Sequence, residues 1–385
     1  MNRRVRASWG VGAALTVVLG LAAATAQEPL RPSAAPTRAN SWQPPRTEWG
    51  EPDISGNFSN KYEIGTPFER PAEFAGRRID DFTPKELTDI ARARQERNLL
   101  NYPHQGDADN PGGNLGGPNT WGDRFEISKG SRPWFVIDPP EGQIPALTPE
   151  GQKRQAANRA AAAARAKNYV PGPQASWDQW RDQQNVSLYD RCISRGLPGS
   201  MMPASYGNSY RIAQSPGYVA ITYEMVHETR VIPLDGRSPL DPAIRQYMGA
   251  GRGHWEGNTL VVEATNFKTP YRGSSESVRL IERFTRVAPN VVEWKVTVDD
   301  SRTWTRPWTF AMPLTENDAE AVVEYGCHEG NYSMPLRLRA GRTAEIQAEE
   351  NARKGITSGP REQFLDEDEE RQEKERLERE RERRP

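Results

Sequence analysis

The chain has 385 residues, enough for two domains or for one β-barrel or sandwich carrying appendages. Its 51 Lys and Arg balance 52 Asp and Glu, so no global charge directs it to nucleic acid or to an acidic membrane surface. With 32 Gly, 32 Pro, 11 Trp and a mean hydropathy of -0.83, it should fold as many turns around a modest aromatic core.

The N-terminus reads as a targeting segment. Asn2-Arg3-Arg4-Val5-Arg6 is basic, 11–24 is apolar, and Ala24-Thr25-Ala26 has the small-x-small form of a signal peptidase site. The apolar run is shorter than the roughly 20 residues that a membrane span needs. Residues 1–26 are therefore expected to be a signal peptide, with the mature chain periplasmic or secreted and no further membrane span. In an oxidising compartment a chain with only two cysteines is expected to join them, here as Cys192–Cys327. Two unpaired buried thiols are the alternative.

Residues 27–48 are rich in Pro and Ala and read as an extended linker. Residues 49–183 read as an appendage of strand, helix and loop, with one strand ending near Phe58. Thr83-Pro84-Lys85-Glu86 opens a helix: Thr83 is a plausible N-cap, Pro84 suits the first helical position, and Glu86 completes a capping box. That helix should reach about Leu99. Residues 110–118, dense in Gly and Pro, read as a surface loop. Residues 132–140 hold a short strand stopped by its prolines. A second helix, alanine-rich and opened by Thr148-Pro149-Glu150, should run to about Ala166 on the surface, because no side of it is apolar enough for a core.

Residues 184–341 read as the main β-domain. At its centre Gly253-His254-Trp255-Glu256 and Thr259-Leu260-Val261-Val262 flank Gly257-Asn258, the pattern of a tight hairpin. Further strands are expected over 218–224, 229–234, 278–287 and 291–298, with a last hairpin pairing 304–313 with 321–327. Strands close in sequence and joined by short turns imply an antiparallel meander, and closure into a lipocalin-like barrel would remove its edges. The fold class is thus mainly β, with helical and loop appendages before the sheet. The segment 342–385 has almost no apolar residues; its Glu and Arg at four-residue spacing suit a solvated helix or a disordered tail.

Thr66-Pro67-Phe68-Glu69-Arg70-Pro71, Val136-Ile137-Asp138-Pro139-Pro140, the stretch 231–237, the 253–262 hairpin and Cys327-His328-Glu329-Gly330-Asn331-Tyr332 together resemble a family of exported bacterial proteins. The resemblance covers about 49–338 and implies export and one β-rich domain. It brings no assigned reaction or ligand with it. Asn258 stands where the family pattern has Asp, a conservative change for a turn.

Three of the four histidines stand beside carboxylates in the β-domain: His227-Glu228, His254 with Glu256, and His328-Glu329. Such pairs suit general acid–base chemistry near neutral pH, or a metal, although no His-Glu-x-x-His or His-x-His run is present. Alternation along 278–284 puts Val278, Leu280, Glu282 and Phe284 on one face, so Glu282 should point inward and need a partner, Arg230 or Arg283. His254, Glu282 and His328 are the candidate catalytic residues, with Glu224, Arg230 and Tyr271 as candidate ligand contacts at the mouth. No metal or cofactor is expected. Three functions remain open: binding of a small apolar or aromatic molecule, metal-independent lyase, isomerase or hydrolase chemistry on the same barrel, or partner binding through the charged tail. Gly249-Ala250-Gly251-Arg252-Gly253 resembles a phosphate loop by its glycines alone, since no helix follows.

Overall fold

The computed structural model describes residues 42–101, 132–167, 187–204, 206–318 and 322–355. The expected signal peptide, most of the linker, the loop at 110–118 and the tail beyond 355 lie outside them. Residues 1–43 and 44–385 separate as two units, and all the elements below belong to the second. Among the described residues no helix is long and apolar enough to cross a membrane.

Among the described residues ten strands make one sheet: β1 (Gly56–Ser59), β2 (Val136–Asp138), β3 (Ser209–Ser215), β4 (Tyr218–Tyr223), β5 (Thr229–Pro233), β6 (Ala250–Glu256), β7 (Thr259–Thr265), β8 (Arg279–Ala288), β9 (Val291–Asp299) and β10 (Trp308–Glu316). Every strand pairing is antiparallel, in the order β5-β4-β3-β1-β10-β9-β8-β7-β6, with β2 on β10. The meander therefore runs as two halves, β3–β5 and β6–β10. The four-residue β1 joins them, pairing Phe58 with both Tyr210 and Glu316. The hairpin expected between 304–313 and 321–327 does not form. β10 starts at Trp308, its neighbours are β9, β1 and β2, and 322–327 carries no strand. The extended segment before Cys327 instead feeds the disulfide, where a ladder with β10 would displace β1.

The hairpin at Gly257-Asn258 pairs Glu256 with Thr259 across a two-residue loop. Gly257 has φ +59° while Asn258 stays negative, the arrangement that needs glycine at the first turn position. From here the register assigns faces. Gly253, Val262, Glu282 and Val296 line up on one side, and His254, Val261, Arg283 and Lys295 on the other. The first side is the core side. Leu260, Leu280, Phe284, Val292, Trp294, Trp308, Phe310 and Leu314 are all fully buried there. Burial of this aromatic face, at roughly 25 cal/mol per Å² of apolar area, is the main stabilising term.

Ladder hydrogen bonds do not close the sheet, because β5 and β6 stand at opposite ends of the strand order. The two edges meet through side chains. A Cβ on Gly253 would lie 2.6 Å from Leu234 Cδ2 and 2.9 Å from Ile232 Cγ2, and one on Gly251 3.6 Å from Ile232 Cγ1. The alternate glycines that mimic a phosphate loop thus make room for the facing edge strand. A β-branched side chain at 253 would push the edges apart.

Helix α1 (Pro84–Asn101) begins as the sequence implies. Glu86 N–H donates to Thr83 Oγ1 at 3.3 Å, and Thr83 N–H donates to Glu86 Oε2 at 2.8 Å, completing the capping box. Helix α2 (Pro149–Lys167) lies on the surface with Thr148 Oγ1 accepting from Gly151 N–H at 3.0 Å. Gly151 alone of its described residues is buried, because its backbone rests on Thr303 O. Helix α3 (Ser333–Arg353) starts ahead of 342, so the first residues expected in the tail belong to a helix already under way. Cys192 and Cys327 are joined, with Cα atoms 5.8 Å apart across 135 positions. The bridge fastens the segment before β3 to the segment before α3.

Candidate functional site

Glu282 is the expected inward carboxylate, with none of its side chain exposed. Of the two partners open from sequence, Arg230 takes the role: its Nη1 lies 2.6 Å from Glu282 Oε2. Trp294 Nε1 donates to the other oxygen at 3.2 Å. Strand register places Arg230 opposite Ile221 on the core side of β5, so the pair reaches between β5 and β8 through the interior. Burial opposes the Arg230 charge, but the Glu282 carboxylate outweighs it and holds the guanidinium protonated.

The other candidates do not join this pair. His254 occupies the solvent side of β6, three residues before Gly257 of the hairpin turn, and its Nε2 lies 3.1 Å from Glu256 Oε1. Glu256 also pairs with Arg283, and its hydrogen bonds to His254 and to that guanidinium hold its carboxyl below the usual range. His254 and Glu282 therefore face opposite sides of one sheet. Alternation forces this, because Gly253 and not His254 aligns with Glu282 across β7. His328 is exposed beside His227, ring centroids 6.4 Å apart, and His227 Nδ1 contacts Tyr325 O at 2.9 Å. Glu224 closes the end of β4, accepting from Ser209 N–H at 3.0 Å. Among the described residues no group of three His, Cys, Asp or Glu side chains is placed to hold a metal.

Tyr271 does line a cavity. It belongs to a pocket of about 750 Å³ at the end of the sheet where β3, β5 and β6 begin and β4 and β7 finish. The 187–204 connection, held at Cys192 by the disulfide, supplies one wall; Met225, Tyr247 and the turn at 269–272 supply the other. Four tyrosines line it: Tyr189, Tyr206, Tyr247 and Tyr271. The hydroxyls of Tyr189 and Tyr206 are 3.2 Å apart, and burial with that hydrogen bond keeps the Tyr189 phenol protonated. Burial also pushes up the Tyr271 phenol, against the opposing charge of Arg272. Two guanidiniums complete the lining. Arg272 sits 4.7 Å from the Phe68 ring centroid, and Arg195 sits 5.5 Å from that of Tyr189. Nη1 of Arg195 is buried without a hydrogen-bond partner among the described residues.

Of this pocket, sequence reasoning reached Tyr271 alone. Tyr189, Arg195 and Tyr206 fall in a stretch with no periodicity. The only signal there was the density of Tyr and Arg beside Cys192, in a segment that the bridge had to hold against the sheet. Compared with known proteins, the chain matches no family model, no curated protein and no solved structure.

Proposed function

We propose that the chain is an exported protein of the family its motifs resemble. In this reading its sheet serves as a lipocalin-like barrel that holds a small apolar or aromatic molecule in the tyrosine-lined pocket. The observation that carries the reading is the composition of that pocket. Four tyrosines and two guanidiniums surround about 750 Å³, within the range typical of small-molecule sites. Tyrosine rings offer flat apolar contact and a polar rim, and guanidiniums stack on aromatic faces. Leu188, Leu197, Met202 and Met225 supply further apolar wall. The unpaired Nη1 of Arg195 would point to an oxygen acceptor on the same molecule.

Titration of the mature protein with the neutral fluorophore N-phenyl-1-naphthylamine tests this. Saturable fluorescence enhancement is expected, weakened roughly tenfold by Tyr206→Ala, which deletes an exposed lining ring without touching the core. Enhancement that is absent, or unchanged in Tyr206→Ala, would sink the assignment. The acid–base alternative draws on His254, Glu282 and His328, of which His254 and Glu282 lie on opposite faces of the sheet.

A further inference from the structure

A second cleft, of about 550 Å³, runs between the two sheet edges. β5 forms one wall through Thr229, Arg230 and Val231, and the backbone from Gly249 to Gly251 forms the other. It touches the tyrosine pocket at Tyr247. Its polar groups are unusual for a gap between two edges. The Arg230 side chain is 4% exposed, and its contact with Glu282 is made off the hydrogen-bonding axis through Nη1 alone. Nε and Nη2 of Arg230, and the nearby hydroxyl of fully buried Tyr223, have no hydrogen-bond partner among the described residues. Buried donors are normally satisfied, so unpaired ones beside a cavity mark where an acceptor belongs.

The charge balance says which acceptor. Glu282 neutralises Arg230, and Asp235 neutralises Arg237 at the rim. Arg252, also on the wall, donates only to the carbonyls of Gly251 and Ser238 and has no carboxylate in ion-pair reach among the described residues. Glu228 on the same wall accepts from Ser194 Oγ at 2.8 Å, and burial pushes its carboxyl up, toward the neutral form. The cleft therefore offers the free guanidinium donors of Arg230 and, in Arg252, a guanidinium with no carboxylate in ion-pair reach among the described residues.

We propose that the cleft between β5 and β6 is a binding site for a small organic carboxylate. Its oxygens accept from the free donors of Arg230, and Arg252 balances its charge. A carboxylate has the planar two-oxygen edge that a guanidinium fork matches. Bulk anions such as chloride lack that edge. Its lining differs from that of the tyrosine pocket except at the shared Tyr247.

Benzoate and its neutral analogue benzyl alcohol are suitable probes, followed by protein-detected NMR at constant ionic strength. Benzoate is expected to bind saturably and benzyl alcohol to bind at least roughly tenfold more weakly. Arg252→Gln should weaken benzoate by a similar factor. Val231→Trp, on the face of β5 opposite Arg230, should weaken it by crowding the cleft mouth, where no core contact is lost. Neither variant relies on removing Arg230, which would leave Glu282 unpaired and endanger the fold. Tyr206→Ala should leave benzoate untouched, and Val231→Trp should leave the naphthylamine fluorescence untouched, so the two sites fail independently. Equal binding of benzoate and benzyl alcohol would overturn the proposal. So would benzoate binding indifferent to both Arg252→Gln and Val231→Trp, or no saturation up to about 10 mM.

Discussion

Glu282 and Arg283 are neighbours in the chain and meet opposite fates. Glu282 is wholly buried against Arg230, whereas Arg283 lies in solvent and pairs with Glu256 beside His254. Both clusters hold a carboxylate and a guanidinium from different strands, β5 with β8 inside and β6 with β8 outside. The inner pair has given up its hydration, so each charge depends on the other for most of its stabilisation. The outer cluster keeps water as an alternative partner, and its contacts are screened and nearly dispensable. Residue type alone therefore does not decide what an ion pair is worth. The face of the sheet does.

Removing one inner partner should have the largest effect. Arg230→Met strands a buried carboxylate and is expected to cost about 3 to 5 kcal/mol in urea unfolding. The double variant Arg230→Met, Glu282→Met should recover most of that loss. A single variant within 1 kcal/mol of wild type, roughly the scale of surface pairs, would erase the contrast between the faces. Next comes the seam between β5 and β6. Gly253→Ala forces a methyl against Leu234 and Ile232, both side-chain ends that can yield in part, and should cost about 1 to 3 kcal/mol. Gly257→Ala, in open space but at positive φ, provides the comparison for backbone strain without crowding.

The two sides also differ in the sign of their pH response. The carboxyl of Glu228, by the cleft, is pushed up by burial against the Ser194 hydrogen bond and the Arg230 charge. Its folded form thus favours the proton. That contribution to stability is full below the ordinary value of 4.5 and is lost as pH rises through the higher folded value. Glu256 on the outer face is lowered, so its contribution is present above 4.5 and is lost as pH falls through the folded value. Chemical denaturation across this range should show Glu228→Gln gaining on wild type with rising pH and Glu256→Gln falling behind it. Curves of the same sign for both variants would contradict the assigned environments. The smallest effect is expected for His254→Ala, within about 0.5 kcal/mol in the same assay, because its contact with Glu256 is exposed. A larger loss would show that the outer cluster is a cooperative network.

Much of the fold could be read from residues alone, for reasons that were local. The 253–262 hairpin rests on a turn whose φ demand glycine meets, and α1 rests on a Thr–Glu capping box four residues long. Glu282 was legible as inward because its neighbours alternate cleanly. The disulfide followed from the count of two cysteines. His254 was not legible. The facing strand reads Leu260-Val261-Val262, apolar at every position and buried at all three, so its alternation could not tell which side was core. The tyrosine pocket was hidden for a related reason, since its lining comes from four separated segments with no shared pattern.

By itself, then, the sequence determined most of the antiparallel strands but not β3 or the partner of β10, together with the central turn, the helix starts and the inward carboxylate, all of which depend on contacts a few residues apart. Only the tertiary structure decided that β1 would join the two halves and that Arg230 rather than Arg283 would meet Glu282. It also brought β5 against the glycines of β6 and opened a cleft there. Each of these is a choice between partners tens to hundreds of residues away. Local propensity is indifferent among such partners, and burial of one continuous apolar face selects between them.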